Sequence, residues 1–222
     1  MTHPNDIKPV PITNWRADFF GEQDIADRNF NVKPGDVFFD VGASDSYWAL
    51  YAASRGATVY AFEPGIPQFR LLVESLLKGG VLDNCRVFNM GLDAQDNVKT
   101  IEDWCNQHGG PGFEVSTDAL VPTRFLPIDF FLPELTRLDW VKIDVEGGEW
   151  TVIRGGDAAI RKFRPSFIIE NHSGIVRIGE WMAANRIVGQ ILEYFGALGY
   201  TITSDSCPMA AGRSFIIAKR PA

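Results

Sequence analysis

Between residues 37 and 90 short apolar runs alternate with stretches of helical spacing, and each switch falls on a turn signal. Lys33-Pro34-Gly35-Asp36 is a turn that leads into Val37-Phe38-Phe39-Asp40-Val41, a continuous apolar run of buried-strand type. Gly42-Ala43-Ser44-Asp45-Ser46 ends that run, and Tyr47 to Arg55 follows with helix-like apolar spacing. Thr58 to Phe62 repeats the strand and Glu63-Pro64-Gly65 ends it. Pro67 to Leu77 is amphipathic with proline in its first turn, as helix starts favour. Cys85 to Met90 is a third strand, closed by Gly91-Leu92-Asp93. Strand, helix, strand, helix, strand in this order predicts a parallel sheet with right-handed crossovers and helices on both faces.

The remainder extends the pattern. Asp129 to Arg137 reads as a short helix with Asp129 as its cap, Leu138 to Ile143 as a fourth strand, and Ser166 to Glu170 as a fifth. Glu149 to Arg154, Asp157 to Phe163 and Ile187 to Leu198 read as helices. Tyr200 to Thr203 and Ser214 to Lys219 are separated by a loop rather than a crossover helix, so they are expected to be antiparallel. The fold class is therefore α/β: a seven-stranded, mostly parallel sheet ending in an antiparallel hairpin. No linker divides the 222 residues, so residues 1–222 are expected to be one domain, with 1–34 a cap or lid segment ahead of a core from 35. Residues 94–128 carry no regular pattern and are expected to be an irregular insertion.

In a parallel sheet, ligands bind in the crevice outside the carboxyl ends of the strands. That makes Lys142-Ile143-Asp144-Val145-Glu146-Gly147-Gly148-Glu149 informative, since an apolar strand ends there in three acids and a glycine hinge. Glu149 also suits the first turn of a helix, where the dipole favours an acid. The turn after the first strand fails the Gly-x-Gly-x-x-Gly dinucleotide pattern in either register, giving Asp40, Gly42, Asp45 or Gly42, Ser44, Tyr47. A carboxylate at 40 would repel a pyrophosphate and attract a cation. Glu63, a little over 20 residues on, stands where an acid accepts both ribose hydroxyls. A nucleoside with a cationic tail fits both, and S-adenosylmethionine is one.

Charge and cysteines limit the partners. A net charge of −7 without a Lys/Arg cluster argues against nucleic acid. Cys85, Cys105 and Cys207 are three and widely spaced, as structural thiols in a reducing cytoplasm would be. The start at Met1 has no basic region followed by an apolar core, and no run of about 18 apolar residues occurs, so neither a signal peptide nor a membrane span is expected.

Asp40-Val41-Gly42-Ala43-Ser44, Phe62-Glu63-Pro64, Lys142 to Glu149, Gly155 and Ile169-Glu170-Asn171-His172 together resemble the FkbM family of class I S-adenosylmethionine-dependent methyltransferases. The likeness runs from about residue 35 to 172. It implies a Rossmann-like sheet and O-methylation of a small molecule, a sugar or a natural product. By that resemblance Asp40, Gly42, Ala43 and Ser44 hold the methionine end of the cofactor and Glu63 with Pro64 the ribose. Gly91, Leu92 and Asp93 lie by the adenine, and Asp144 and Glu146 face the methionine end or the acceptor. The family pattern has asparagine and a second glycine where this chain has Ser44 and Ser46, and serine at 46 is costly if that position needs positive φ.

Asp144 and His172, past neighbouring strands, are the candidate general bases for the acceptor hydroxyl. Tyr47, Trp48 and Trp150 flank the crevice, with core packing expected of each. Asp144, Glu170 and Asn171 could together hold magnesium, as catechol-type methyltransferases do. Two other classes are a non-catalytic protein that keeps the cofactor fold and a nicotinamide-dependent dehydrogenase, the latter disfavoured by the failed glycine pattern.

Overall fold

A computed structural model describes residues 20–108, 120–171, 181–206 and 214–221. Strands β1 (Val37–Val41), β2 (Thr58–Phe62) and β3 (Cys85–Phe88) are followed by three short ones, β4 (Gly91–Leu92), β5 (Asn97–Lys99) and β6 (Thr123–Leu126). Then come β7 (Trp140–Ile143), β8 (Ser166–Asn171), β9 (Thr201–Ser206) and β10 (Ser214–Lys219). The main sheet has seven strands in the order β3-β2-β1-β7-β8-β10-β9. Its first five are parallel, and β10 runs antiparallel to both β8 and β9. The expected mostly parallel sheet with a terminal hairpin is thus the one observed. The order grows outward in both directions from β1 and β7, so the crevice between these two is the topological switch point.

Strand alternation divides the core into two layers. Phe38 and Trp140 face one side, where they meet Ile25 of helix α1 (Phe20–Asn29), Trp48 and Leu50 of α2 (Tyr47–Ala53), and Leu72 and Leu76 of α3 (Ile66–Lys78). Phe39, Val41, Val141 and Ile143 face the other. Helix α4 (Ile101–His108) lies within the 94–128 segment. Opposite the first layer pack Val152 and Ile153 of α5 (Glu149–Arg154), Ile160 of α6 (Asp157–Phe163), and Ile191 and Phe195 of α7 (Trp181–Ala197). All seven residues of α2 are buried, as a helix apolar on every side requires.

Two expectations change. Described residues of the 94–128 segment are not irregular: β5, α4 and β6 lie in it, and β4, β6 and β5 form a second, three-stranded sheet. Asp129 to Arg137 is not a helix but a 3₁₀ turn at Ile128–Phe131 followed by turns. Pro133 explains this, since it has no N–H to donate back to residue 129 and its ring clashes with that carbonyl. Asp129 is nevertheless a cap, of another helix. Its carboxylate accepts the amides of Ala158 and Ala159 at 3.1 and 2.8 Å, in the first turn of α6.

Candidate active site

The β1–α2 turn has little backbone freedom. Gly42 has φ +75, and a Cβ there would come within 1.8 Å of the Asp144 carbonyl oxygen, so this position has neither room nor a conformation for a side chain. The amides of Gly42 and Ala43 both donate to Phe62 O at 3.0 Å, and that of Ser46 donates to Ala43 O at 2.9 Å. Ser44 N donates to Glu63 Oε2 at 2.9 Å. The three amides a pyrophosphate would use, those of Gly42, Ala43 and Ser44, are therefore already engaged, and a carboxylate stands in front of them. This geometry is unsuited to a dinucleotide.

Glu63, at the end of β2, is 6% exposed, and its other oxygen accepts Gly65 N–H at 2.8 Å. Burial raises its pKa to about 7, against the pull of the Gly65 and Ser44 amides. It lines a cavity of about 340 Å³ at the carboxyl ends of β1, β2 and β7, a size suited to a small ligand. Gly42, Ala43, Ser44, Pro64, Gly91, Leu92, Asp144 and Glu146 line it too.

Across the switch point, Asp40 of β1 and Lys142 of β7 are partners in register, on the face toward α1 and α2. Lys142 is 3% exposed. Its Nζ donates to Gly42 O at 2.7 Å and lies 3.3 Å from Asp144 Oδ2 and 3.6 Å from Asp40 Oδ1. Burial pulls the ammonium down, but Asp144 and Asp40 outweigh it and hold its pKa above the usual lysine value. Asp40 is fully buried and does not line the cavity; burial raises its pKa to about 6, Lys142 opposing and Asp144 adding.

Most of the far wall comes from the 94–128 segment. Ile101, Trp104 and Cys105 of α4, Phe125 of β6 and Leu92 of β4 line the cavity, with the Trp104 and Phe125 rings stacked at 5.8 Å and 11°. Glycine makes this wall possible. A Cβ on Gly91 would meet Phe125 at 2.2 Å, and one on Gly148 would meet Trp104 at 2.1 Å. From the opposite side α1 contributes Glu22.

A domain model described as methyltransferase FkbM matches residues 40–202. The chain belongs to the FkbM family of methyltransferases. Among individual relatives, the 31-O-demethyl-FK506 methyltransferase FkbM of Streptomyces tacrolimicus is 22% identical over 275 residues, covering 99% of this chain and 96% of the relative. The crystal structure of methyltransferase FkbM from Methylobacillus flagellatus KT superposes with a TM-score of 0.58 at 16% identity, covering 83% of this chain. This chain spans only 43% of that neighbour's length. Fibrillarin from Aeropyrum pernix, solved with natively bound S-adenosyl-L-methionine, superposes with a TM-score of 0.50 at 14% identity, over 84% of this chain and 67% of its own. These structural likenesses bear on the fold.

Within this FkbM fold the residues singled out by sequence separate into groups. Gly42, Ala43, Ser44, Glu63, Pro64, Gly91, Leu92, Asp144 and Glu146 are brought together around the cavity, whereas Asp40 is fully buried and does not line it. Asp93 is elsewhere. It accepts the amide of Ala94, the Thr151 hydroxyl at 2.7 Å and Asn97 Nδ2, and pairs with Lys99 Nζ at 2.7 Å. Burial would raise its pKa, but these bonds bring it to about 2. It ties the small sheet to α5. The expected metal group does not form. Glu170 is buried and does not line the cavity, Asn171 Nδ2 donates to Ser214 Oγ at 3.2 Å, and among the described residues no three His, Cys, Asp or Glu could hold a metal ion. His172 lies outside the described residues. Tyr47 and Trp48 are buried and line the cavity, whereas Trp150 packs on Tyr194 at 5.7 Å. Among the described residues no helix is long and apolar enough to cross a membrane.

Sequence reasoning missed Lys142, Trp104, Phe125 and Glu22. For Lys142 a signal was present: a lysine inside a β-branched run cannot be buried without partners, and alternation already put Asp40 on a neighbouring strand.

Proposed function

We propose that the chain is an S-adenosylmethionine-dependent methyltransferase that methylates a hydroxyl of a sugar or natural-product small molecule. The observation that carries the proposal is Glu63, a buried carboxylate oriented by two backbone amides at the mouth of β2. Its oxygens are the acceptors that a ribose diol needs. The turn from Gly42 to Ser44 with Asp144 and Glu146 would hold the methionine end, and Gly91-Leu92 with Ile101 and Phe125 the adenine. The donor set fits this cofactor: acids and no pyrophosphate cradle suit a cationic tail, and an apolar wall suits a base.

The cofactor supplies a methyl carbon activated by a sulfonium. The protein's part is largely alignment, and holding an acceptor in line can contribute roughly 7–11 kcal/mol. Asp144 stands at the cavity, where it can take the hydroxyl proton; a positioned base adds about 10²–10⁴-fold. Trp104, Phe125 and Trp48 line the cavity, where they would shield a bound acceptor from part of the solvent.

Titration calorimetry with S-adenosylmethionine, S-adenosylhomocysteine and NAD tests the proposal. Saturable binding of the first two and none of NAD is expected, and no binding of either adenosyl compound at millimolar concentration would overturn it. A radiolabelled methyl group then reports transfer to hydroxyl-bearing acceptors. Binding without transfer to any acceptor would favour the non-catalytic alternative.

A further inference from the structure

Lysine 142 stands in a strand whose other members are Trp140, Val141 and Ile143, all buried. Taking an ammonium out of water costs several kcal/mol, so its partners must be specific. We propose that Lys142 is a positioning residue: its ammonium locks the Gly42 turn and Asp144, on opposite lips of the β1–β7 crevice, into the geometry that binds S-adenosylmethionine. The inference rests on the functional proposal above.

The order of distances supports this over a plain counter-ion role for Asp40. The shortest contact of Lys142 is the Gly42 carbonyl at 2.7 Å, then Asp144 at 3.3 Å, and Asp40 is third at 3.6 Å, beyond hydrogen-bond length. No donor among the described residues reaches hydrogen-bonding geometry with either oxygen of Asp40, so the Lys142 ammonium and the Ala49 amide act on this carboxylate from longer range. The ammonium is thus drawn toward the cavity, not seated on the carboxylate directly across from it.

Gly42 is where such a contact has most effect. Its amide is spent on Phe62 O and its Cα abuts the Asp144 carbonyl, so of Gly42's own groups the carbonyl is the one left for a side chain to hold. The lips also meet through Asp144 N–H, which donates to Val41 O at 3.0 Å. From Gly42 the chain runs to Ser44, whose amide orients Glu63. One ammonium therefore connects the ends of β1 and β7 and, through the turn, the carboxylate at the end of β2. Losing it removes the tie between the Gly42 carbonyl and Asp144 and leaves Asp40 and Asp144 as neighbouring carboxylates without a common cation.

The experiment compares wild type, Lys142→Met, and Lys142→Met combined with Asp40→Asn, by thermal unfolding and by calorimetric Kd for S-adenosylmethionine. Methionine keeps the length of lysine without its charge. Lys142→Met is expected to lower Tm and weaken binding at least tenfold. The double variant, with no unpaired carboxylate at 40, is expected to recover most of the Tm but stay at least tenfold weak, and it keeps the test open if the single variant does not fold. Recovery of both properties in the double variant would reduce Lys142 to a counter-ion and overturn the inference, as would wild-type affinity in Lys142→Met. Absence of binding by wild type would remove the functional proposal, and this inference with it; wild-type binding with an unaffected double variant removes the inference alone.

Discussion

Gly147 and Gly148 are adjacent but needed for different reasons. Gly147 has φ +112, whereas Gly148 has φ −92, which any residue can adopt, and is glycine because Trp104 lies where a side chain would go. The sequence marks both as a turn; only the packing of a distant helix distinguishes them. Ser46 shows the reverse. The family pattern pointed to a possible need for positive φ there, and serine does adopt φ +92, fully buried, with an Oγ that has no hydrogen-bond partner among the described residues. Such a conformation costs a non-glycine residue of order 1–3 kcal/mol. Ser46→Gly is expected to stabilise the protein by about 1 kcal/mol, since glycine also loses more chain entropy on folding. That is about 2–4 °C in Tm for a chain of this size, and unchanged or lower Tm would show the strain to be absorbed. Glu63 gives a second test. Its pKa is raised to about 7 from 4.5, so the folded protein holds a proton there that the unfolded chain has lost, and this group's contribution to stability falls as pH rises through that window. Ribose hydroxyls require the ionised form, so affinity for S-adenosylmethionine is expected to rise about tenfold from pH 6 to pH 8. Calorimetry of Glu63→Gln across the same range should give a weak, flat response; the same rise in that variant would assign the proton to another group.

The parallel strands and their helices were legible because each carries its own period: continuous apolar runs for strands buried on both faces, a 3.6-residue spacing for α3. Strand ends followed, and with them Gly42, Glu63 and Asp144, because side chains at the carboxyl edge are placed by the sheet itself. The 94–128 segment was not legible. β4, β5 and β6 are two to four residues long, and Trp104 and Phe125 find their places by stacking on each other and on glycines far along the chain. Asp129 illustrates how far a local signal carries. It looks like a cap and is one, but of α6, about 30 residues on rather than of its own segment. Asp129→Ala is expected to cost about 1 kcal/mol, the usual loss of an N-cap, while Kd for S-adenosylmethionine stays at the wild-type value. A weaker Kd in denaturant-stable protein would mean that α6 bears on the site.

At the scale of the molecule, the main sheet supplies the floor of the cavity and the small sheet with α4 supplies its wall, so the site exists only while the two are joined. Asp93 is a principal joint: it follows β4, pairs with Lys99 of β5 and accepts the Thr151 hydroxyl of α5. Gly155 leaves room for it, since a Cβ there would meet the Asp93 carbonyl oxygen at 2.1 Å. The family resemblance implied a place for Asp93 beside the adenine; its partners, from β5 and α5, come together only in three dimensions. Their effect is measurable in acid. With its pKa lowered from 3.8 to about 2, Asp93 contributes stability that is complete above about pH 4 and is lost as pH falls through 2. That contribution is of order 2 kcal/mol. Asp93→Asn should therefore be less stable than wild type at pH 7, and the gap should narrow between pH 4 and pH 2, as wild type gives up what the variant never had. Urea unfolding at pH 7, 4 and 2.5 measures this directly. A gap that holds constant down to pH 2.5 would show that asparagine's altered packing, and not the lost charge, weakens the joint.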